Sequence, residues 1–394
     1  MVSHWRRESG VRVSGMDEGV GGGVRGGPDA GERPVAGPDA ASLRRLRARR
    51  DYLVFHFSPP VSPPRLAFAL LSFAVMAGAT GWVLRDSWPA GGLPWLPWSV
   101  HLAAGGTALV EVLARAFKIM ASARACGVPL RFRTALTTSL AGDFAAAITP
   151  ARAGAEPARY LVLAEAGIAP AARVLVLFLE LFLEMWSLVL VCGALAWAFA
   201  GAGSSARGLA ALVGGYSGFV LGVGAVGVVL ARRHARGPAP AWVRRVGGHA
   251  GHWRGVQRLM RGARTGVTAL RHAHPGVMAL ALGGSVVHVL GKVAALPVLV
   301  VAAGAATGVA VPLTREALAP LVLWPLALFY GGVVVPAPGG GGFIEGAFAA
   351  TLRDAIPPTL FAASLLWWRF YTFYLYLLVG AAAAGRGVLR ALRS

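Results

Sequence analysis

The sequence predicts an all-α polytopic membrane protein: about six full spans plus two re-entrant broken-helix hairpins related as inverted repeats. Three observations predict it. Hydrophobic residues make up 56% of the 394 residues and charged residues 14%, where a soluble domain carries about 25% charge. Apolar runs of roughly twenty residues, long enough to cross hydrocarbon, recur along the chain. Two stretches rich in proline, glycine and charge interrupt those runs, one in each half. Such paired interruptions are the sequence pointer to a transporter-type site between repeats of opposite orientation.

Charge narrows the class further. The net charge of +21 is almost all arginine, because Lys118 and Lys292 are the only lysines. Basicity on that scale suits nucleic acid or the cytoplasmic loops of a membrane protein. The arginines cluster beside apolar spans, which favours the second reading and no nucleic-acid partner. Cys126 and Cys192 lie in or beside apolar segments with no metal-ligand spacing, so neither a metal nor a disulfide framework is expected.

In chain order, residues 1–64 read as a disordered basic cytoplasmic tail, glycine-rich at Gly19–Gly27 and basic at Arg44–Arg50. No apolar run lies near the start, so no signal peptide is expected, and Met16 offers an alternative start. Residues 65–394 form the membrane domain. Leu66–Leu84 is a first span, followed by Trp88, Trp95 and Trp98 in an outer aromatic belt. The second span, from Val100 to about Ala121, carries Glu111 and Arg115 four residues apart, a spacing that pairs them on one helix face.

Thr134–Ile148 is too short to span comfortably and holds Asp143, so it reads as a limb entering from the cytoplasm. It turns near Thr149–Gly154 and leaves through Glu156–Glu165. Ala171–Ala200 is apolar except for Arg173, Glu180 and Glu184, and the two glutamates must face the protein interior. Gly208–Leu230 returns inward, with glycines for close packing. The arginine-rich connection 232–275 is cytoplasmic, and its histidines lack the neighbours of a metal site.

Val277–Ala303 goes outward with His288 and Lys292 four apart on one face. Leu318–Val335 is expected to be interrupted at Pro320 and Pro325, and Phe343–Leu352 resumes as a short helix. Pro357 and Pro358 open a last span that contains Arg369 and ends near Ala384. Sidedness closes with both termini inside, the first hairpin opening inward and the second outward.

The two interruptions carry the chemistry. Ile148–Arg159 contains Arg152, Gly154, Glu156 and Arg159 with two prolines; Val335–Glu345 contains Gly339, Gly340, Gly342 and Glu345. A lipid-facing helix rejects this mixture, since each charge costs about 2.5–3.5 kcal/mol at the bilayer centre. Each stretch is therefore either a plain loop or broken helix lining a polar cavity.

Their residues resemble a known family. Thr149-Pro150-x-Arg152-x-Gly154-x-Glu156-Pro157-x-Arg159, with Leu161 and Gly167, is similar to the first signature of the lysylphosphatidylglycerol synthase transmembrane-region, or flippase-like, family. Pro336-x-Pro338-Gly339-Gly340-x-Gly342-x-x-Glu345 resembles the second, and Arg369, Glu180 and Glu184 sit where that family places an arginine and an acidic pair. Two departures stand out: Ala155 replaces a common second glycine, and Leu181 a common arginine. The loss of that arginine leaves Glu180 and Glu184 to pair with other helices, with His288 or Lys292 as partners.

The resemblance covers about Arg65 to Gly385. Nothing in the chain resembles the soluble aminoacyl-transferase domain of some members, so it implies the lipid-translocating half alone. The implied partner is a membrane phospholipid or lipid-linked headgroup in the cell membrane, with a homo-oligomer or a separate synthase as possible protein partners. Arg152, Arg159 and Arg369 are candidate phosphate contacts, since guanidinium matches phosphate bidentately. Gly339, Gly340 and Gly342 offer backbone N–H groups, or else a plain tight turn. Glu156, Glu180, Glu184 and Glu345, with His288 and Lys292, balance charge, carry coupling protons or hold the helices together. No cofactor is expected. The rival reading is an intramembrane transferase, but Asp-rich metal motifs, paired alcohol-phosphotransferase aspartates and a Ser-Gly-His phosphatase signature are missing. The chain is accordingly not expected to be an enzyme.

Overall fold

The computed structural model describes residues 63–85, 88, 95–199, 273–331, 335 and 337–383, with scattered positions between 208 and 257. These residues fall in one unit, Ser58–Ser394. The expected tail, most of the Gly208–Leu230 span and most of the basic connection lie outside the described residues.

The described secondary structure is helical. Helices α1 (Pro63–Leu84), α2 (Trp98–Ala125), α3 (Phe132–Ile148), α4 (Ala155–Glu165) and α5 (Pro170–Ala198) make up the first half. Helices α6 (Pro275–Thr307), α7 (Arg315–Gly331), α8 (Phe343–Leu352) and α9 (Pro358–Arg369) make up the second. A π-helical turn, Phe370–Tyr374, carries α9 into further helix over residues 375–383. Pro170, Pro275 and Pro358 open their helices, where the missing N–H is no loss and the fixed φ suits the first turn.

Among the described residues, three helices are long and apolar enough to cross a membrane: α2, α5 and α6. The expected short helix Phe343–Leu352 has those bounds. The expected interruption at Pro320 and Pro325 does not occur, because α7 runs unbroken through both. Proline inside a helix removes one ladder bond and bends the axis, which neighbouring helices accommodate.

One order of elements runs twice. A long helix (α2, α6) is followed by a 17-residue helix (α3, α7), then a 3₁₀ turn, a short helix (α4, α8) and a further helix (α5, α9). The turns share a conformation. In Pro150-Ala151-Arg152 the last two residues have φ of 49° and 59°; in Pro338-Gly339-Gly340 the values are 60° and 67°. Left-handed backbone costs a residue with a Cβ about 1–2 kcal/mol, and glycine avoids that cost. The second turn uses glycine for both positions; the first does not.

The long helices α2 and α6 lie side by side. Glycine makes that approach possible: a Cβ on Gly291 would stand 3.0 Å from the Cβ of Glu111, and one on Gly284 would meet Phe117 at 3.0 Å. One apolar core joins α2, α6, α7, α8 and α9 around Phe348, Phe361 and Trp368. Another joins α2, α5 and α6 around Leu179, Leu183 and Ala281. Leu109, Leu113, Leu280, Val287 and Leu290 remain exposed, as suits helices bathed in hydrocarbon.

Candidate functional site

Each of the three longest described helices carries charge at its centre. Glu111 stands near the middle of α2, Glu184 near the middle of α5, and His288 and Lys292 near the middle of α6. An ionisable group at that level must face other protein, and these do. Arg115 pairs with Glu111 at 3.3 Å, as the four-residue spacing predicts, and forks onto both oxygens of Asp143 from α3. Tyr376 donates to Glu111 at 2.7 Å.

Lys118, wholly buried, reaches Glu180 at 2.6 Å and Glu184 at 2.8 Å. Glu184 also lies 3.5 Å from Lys292 and accepts a hydrogen bond from Tyr330 at 3.1 Å. The two glutamates therefore pair with other helices. Lys292 and His288 face Glu184, whereas the main partner of Glu180 is Lys118. Sequence spacing exposed neither Lys118 nor Asp143 as a partner. The available signal for Lys118 was that it is one of two lysines and stands seven residues, about two helical turns, after Glu111.

The first interruption packs against this network. Arg159 on α4 is held between Glu156 at 3.0 Å and Glu180 at 3.2 Å, and its side chain fills the space a Cβ on Gly142 would need. Gly154 donates its N–H to the Thr149 hydroxyl at 2.9 Å, and a Cβ there would strike Thr149 and the Ala145 carbonyl. Arg152 is exposed, and among the described residues no carboxylate lies within 4 Å of it. It lines a small cavity of about 40 Å³ together with Glu111, Asp143, Lys292 and Tyr376. That volume holds a few waters.

The second interruption is built around Glu345 and Arg369. Glu345 is fully buried; one carboxylate oxygen lies 2.7 Å from Arg369 and the other accepts the Gly342 N–H at 2.8 Å. Arg369 also donates to the Gly339 carbonyl at 3.3 Å. The Gly340 N–H is taken by the Ala337 carbonyl at 3.0 Å. The N–H groups of Gly340 and Gly342 thus already have internal acceptors, and a Cβ on Gly339 would stand 2.2 Å from the Phe373 ring. The two halves use one device with reversed sign. In the first, the short helix supplies arginine and the next helix glutamate; in the second, the short helix supplies glutamate and the next arginine.

The two turns touch each other, and α3 touches the second turn. Of the sequence-predicted residues, Arg152, Glu180, Glu184, His288 and Lys292 belong to the central network or its cavity, with Glu156 and Arg159 at its edge. Gly339, Gly340, Gly342, Glu345 and Arg369 form the facing arm. Among the described residues no cluster has the composition of a metal site.

Charged groups buried at mid-helix, with two broken-helix turns meeting beside them, define an all-α integral membrane protein built around a polar centre. The chain belongs to a family in that class: the model of the lysylphosphatidylglycerol synthase transmembrane region matches residues 65–380. Among curated proteins none matches the chain. Membership supports a lipid-related role in a membrane.

Proposed function

We propose that the protein is a lipid translocase of the cell membrane, moving an anionic phospholipid or lipid-linked headgroup between leaflets without altering it. About six spans cross the bilayer, and both termini are cytoplasmic. The hairpin through Pro150–Arg152 enters from the cytoplasmic side and the hairpin through Pro338–Gly340 from the opposite side, as inverted repeats. The observation that carries this reading is the contact between the two turns beside the mid-helix charges. A headgroup crossing hydrocarbon needs polar groups at that depth and access from each leaflet in turn. Parting the turns enlarges the cavity and opens it to one side at a time. Arg152, a cavity guanidinium with no carboxylate within 4 Å among the described residues, takes the phosphate. Glu345 and Arg369 brace the opposite turn.

Reconstitution in liposomes with a fluorescent phospholipid tests this. Wild type is expected to move the probe between leaflets with its mass unchanged. Arg152→Gln is expected to slow movement at least tenfold at normal expression. An altered lipid mass would replace the translocase with a transferase, and no movement would leave a partner for a separate synthase.

A further inference from the structure

His288 is a buried titratable group that phosphate binding does not use. It is fully enclosed, with Nδ1 2.9 Å from Glu111 and Nε2 3.7 Å from Glu184. A neutral imidazole carries one N–H, so one ring nitrogen then turns a lone pair toward a carboxylate. A second ring proton removes that conflict.

Charged groups face this ring from the helices packed against it. From α2 it meets Glu111, with Arg115 and Lys118 along the same helix. From α5 it meets Glu184, and on its own helix Lys292. Tyr330 of α7 donates to Glu184, and Tyr376, beyond the π turn, donates to Glu111. Among the described residues joined in ion pairs, five carboxylates (Glu111, Asp143, Glu180, Glu184, Glu345) have side chains no more than 13% exposed. Five permanent cations in those pairs (Arg115, Lys118, Arg159, Lys292, Arg369) are no more than 19% exposed. Counted over these described residues, the buried set is therefore balanced with His288 neutral. A proton on His288 leaves one buried positive charge in excess. Such an excess is costly in hydrocarbon unless an anion arrives. Glu111 links the ring to the place where one arrives, because it lines the cavity that Arg152 also lines.

We propose that His288 binds a proton together with the lipid headgroup, so that one proton accompanies one singly charged phosphodiester and the crossing is electroneutral. This rests on the translocase reading. The proton passes from water in the cavity, by way of Glu111, to a ring nitrogen lone pair, forming N–H as an O–H bond breaks. It returns to water by the same exchange on the other side, with no redox step. Each ligand raises the affinity for the other by the same factor, as linkage requires.

The test uses the full chain in phosphatidylcholine vesicles containing fluorescent phosphatidylglycerol, with a pH dye inside. A one-unit pH gradient at zero membrane potential is expected to drive the probe toward the alkaline side up to about tenfold over its reverse movement, the ratio set by one proton. The dye should register proton movement that follows the lipid. A potassium–valinomycin potential without a pH gradient should have no effect. His288→Gln should abolish the response to the pH gradient. Lipid movement indifferent to pH, or driven by the potential, would overturn the proposal and leave the translocase standing; so would an unchanged gradient response in His288→Gln. No lipid movement by wild type under any condition would remove both. If His288→Gln does not assemble, the paired wild-type gradients still decide.

Discussion

Lys118 is the residue on which three helices converge. It is wholly buried on α2, and both of its partners, Glu180 and Glu184, come from α5, with Lys292 of α6 sharing Glu184. Removing one member of a buried ion pair costs about 3–5 kcal/mol, because the remaining charge keeps its desolvation penalty without its partner. Lys118→Met is therefore expected to lower stability by about that amount in detergent, measured by thermal unfolding. Adding Glu180→Gln should recover part of the loss, since it removes one stranded carboxylate. A neutral Lys118→Met would mean that the pair contributes nothing to folding. Little of this was legible in the sequence. The Glu111–Arg115 pair follows from helical spacing, but Asp143 and Lys118 find partners 28 and 66 residues away, and local periodicity carries no information about such distances.

At the scale of elements, the sequence was most informative where proline and glycine punctuate the chain. Both broken hairpins, and the short helix after the second, stand where those residues place them. Pro320 and Pro325 misled, because a proline signals a possible break and the surrounding helices decide whether the helix ends. Glycines in the second arm differ in the same way. Gly339 is left-handed and pressed against Phe373, while Gly346 inside α8 has open space where a Cβ would be. Gly339→Ala should destabilise by at least about 1–2 kcal/mol from backbone strain alone. Gly346→Ala should be neutral or stabilise by up to about 1 kcal/mol through helix propensity. Thermal shifts of the two variants, compared side by side, check the assignment of the turn. Equal shifts would show that the left-handed position is not held.

At the scale of the molecule, composition alone made the membrane class plain, and the repeated element order adds a prediction about sidedness. If the halves are inverted, the connections after α4 and after α8 face opposite compartments. With Cys126 and Cys192 replaced by serine, a cysteine at exposed Ala166 should react with an impermeant maleimide only from the cytoplasmic side. One at exposed Asp354 should react only from the other side. Labelling of both from the same side would rule out the inversion while leaving the helices as described. The sequence could suggest this arrangement from its basic loops, but helix packing by itself carries no marker of which compartment is which.

The two turns match in backbone and differ in what they present. Ala151 and Arg152 hold left-handed positions that Gly339 and Gly340 fill without strain. One arm thus brings a guanidinium to the meeting point, and the other brings bare main chain. If the protein carries a lipid as proposed, an inward and an outward traveller would encounter these in opposite sequence, which would give the path a built-in polarity before any gradient is applied.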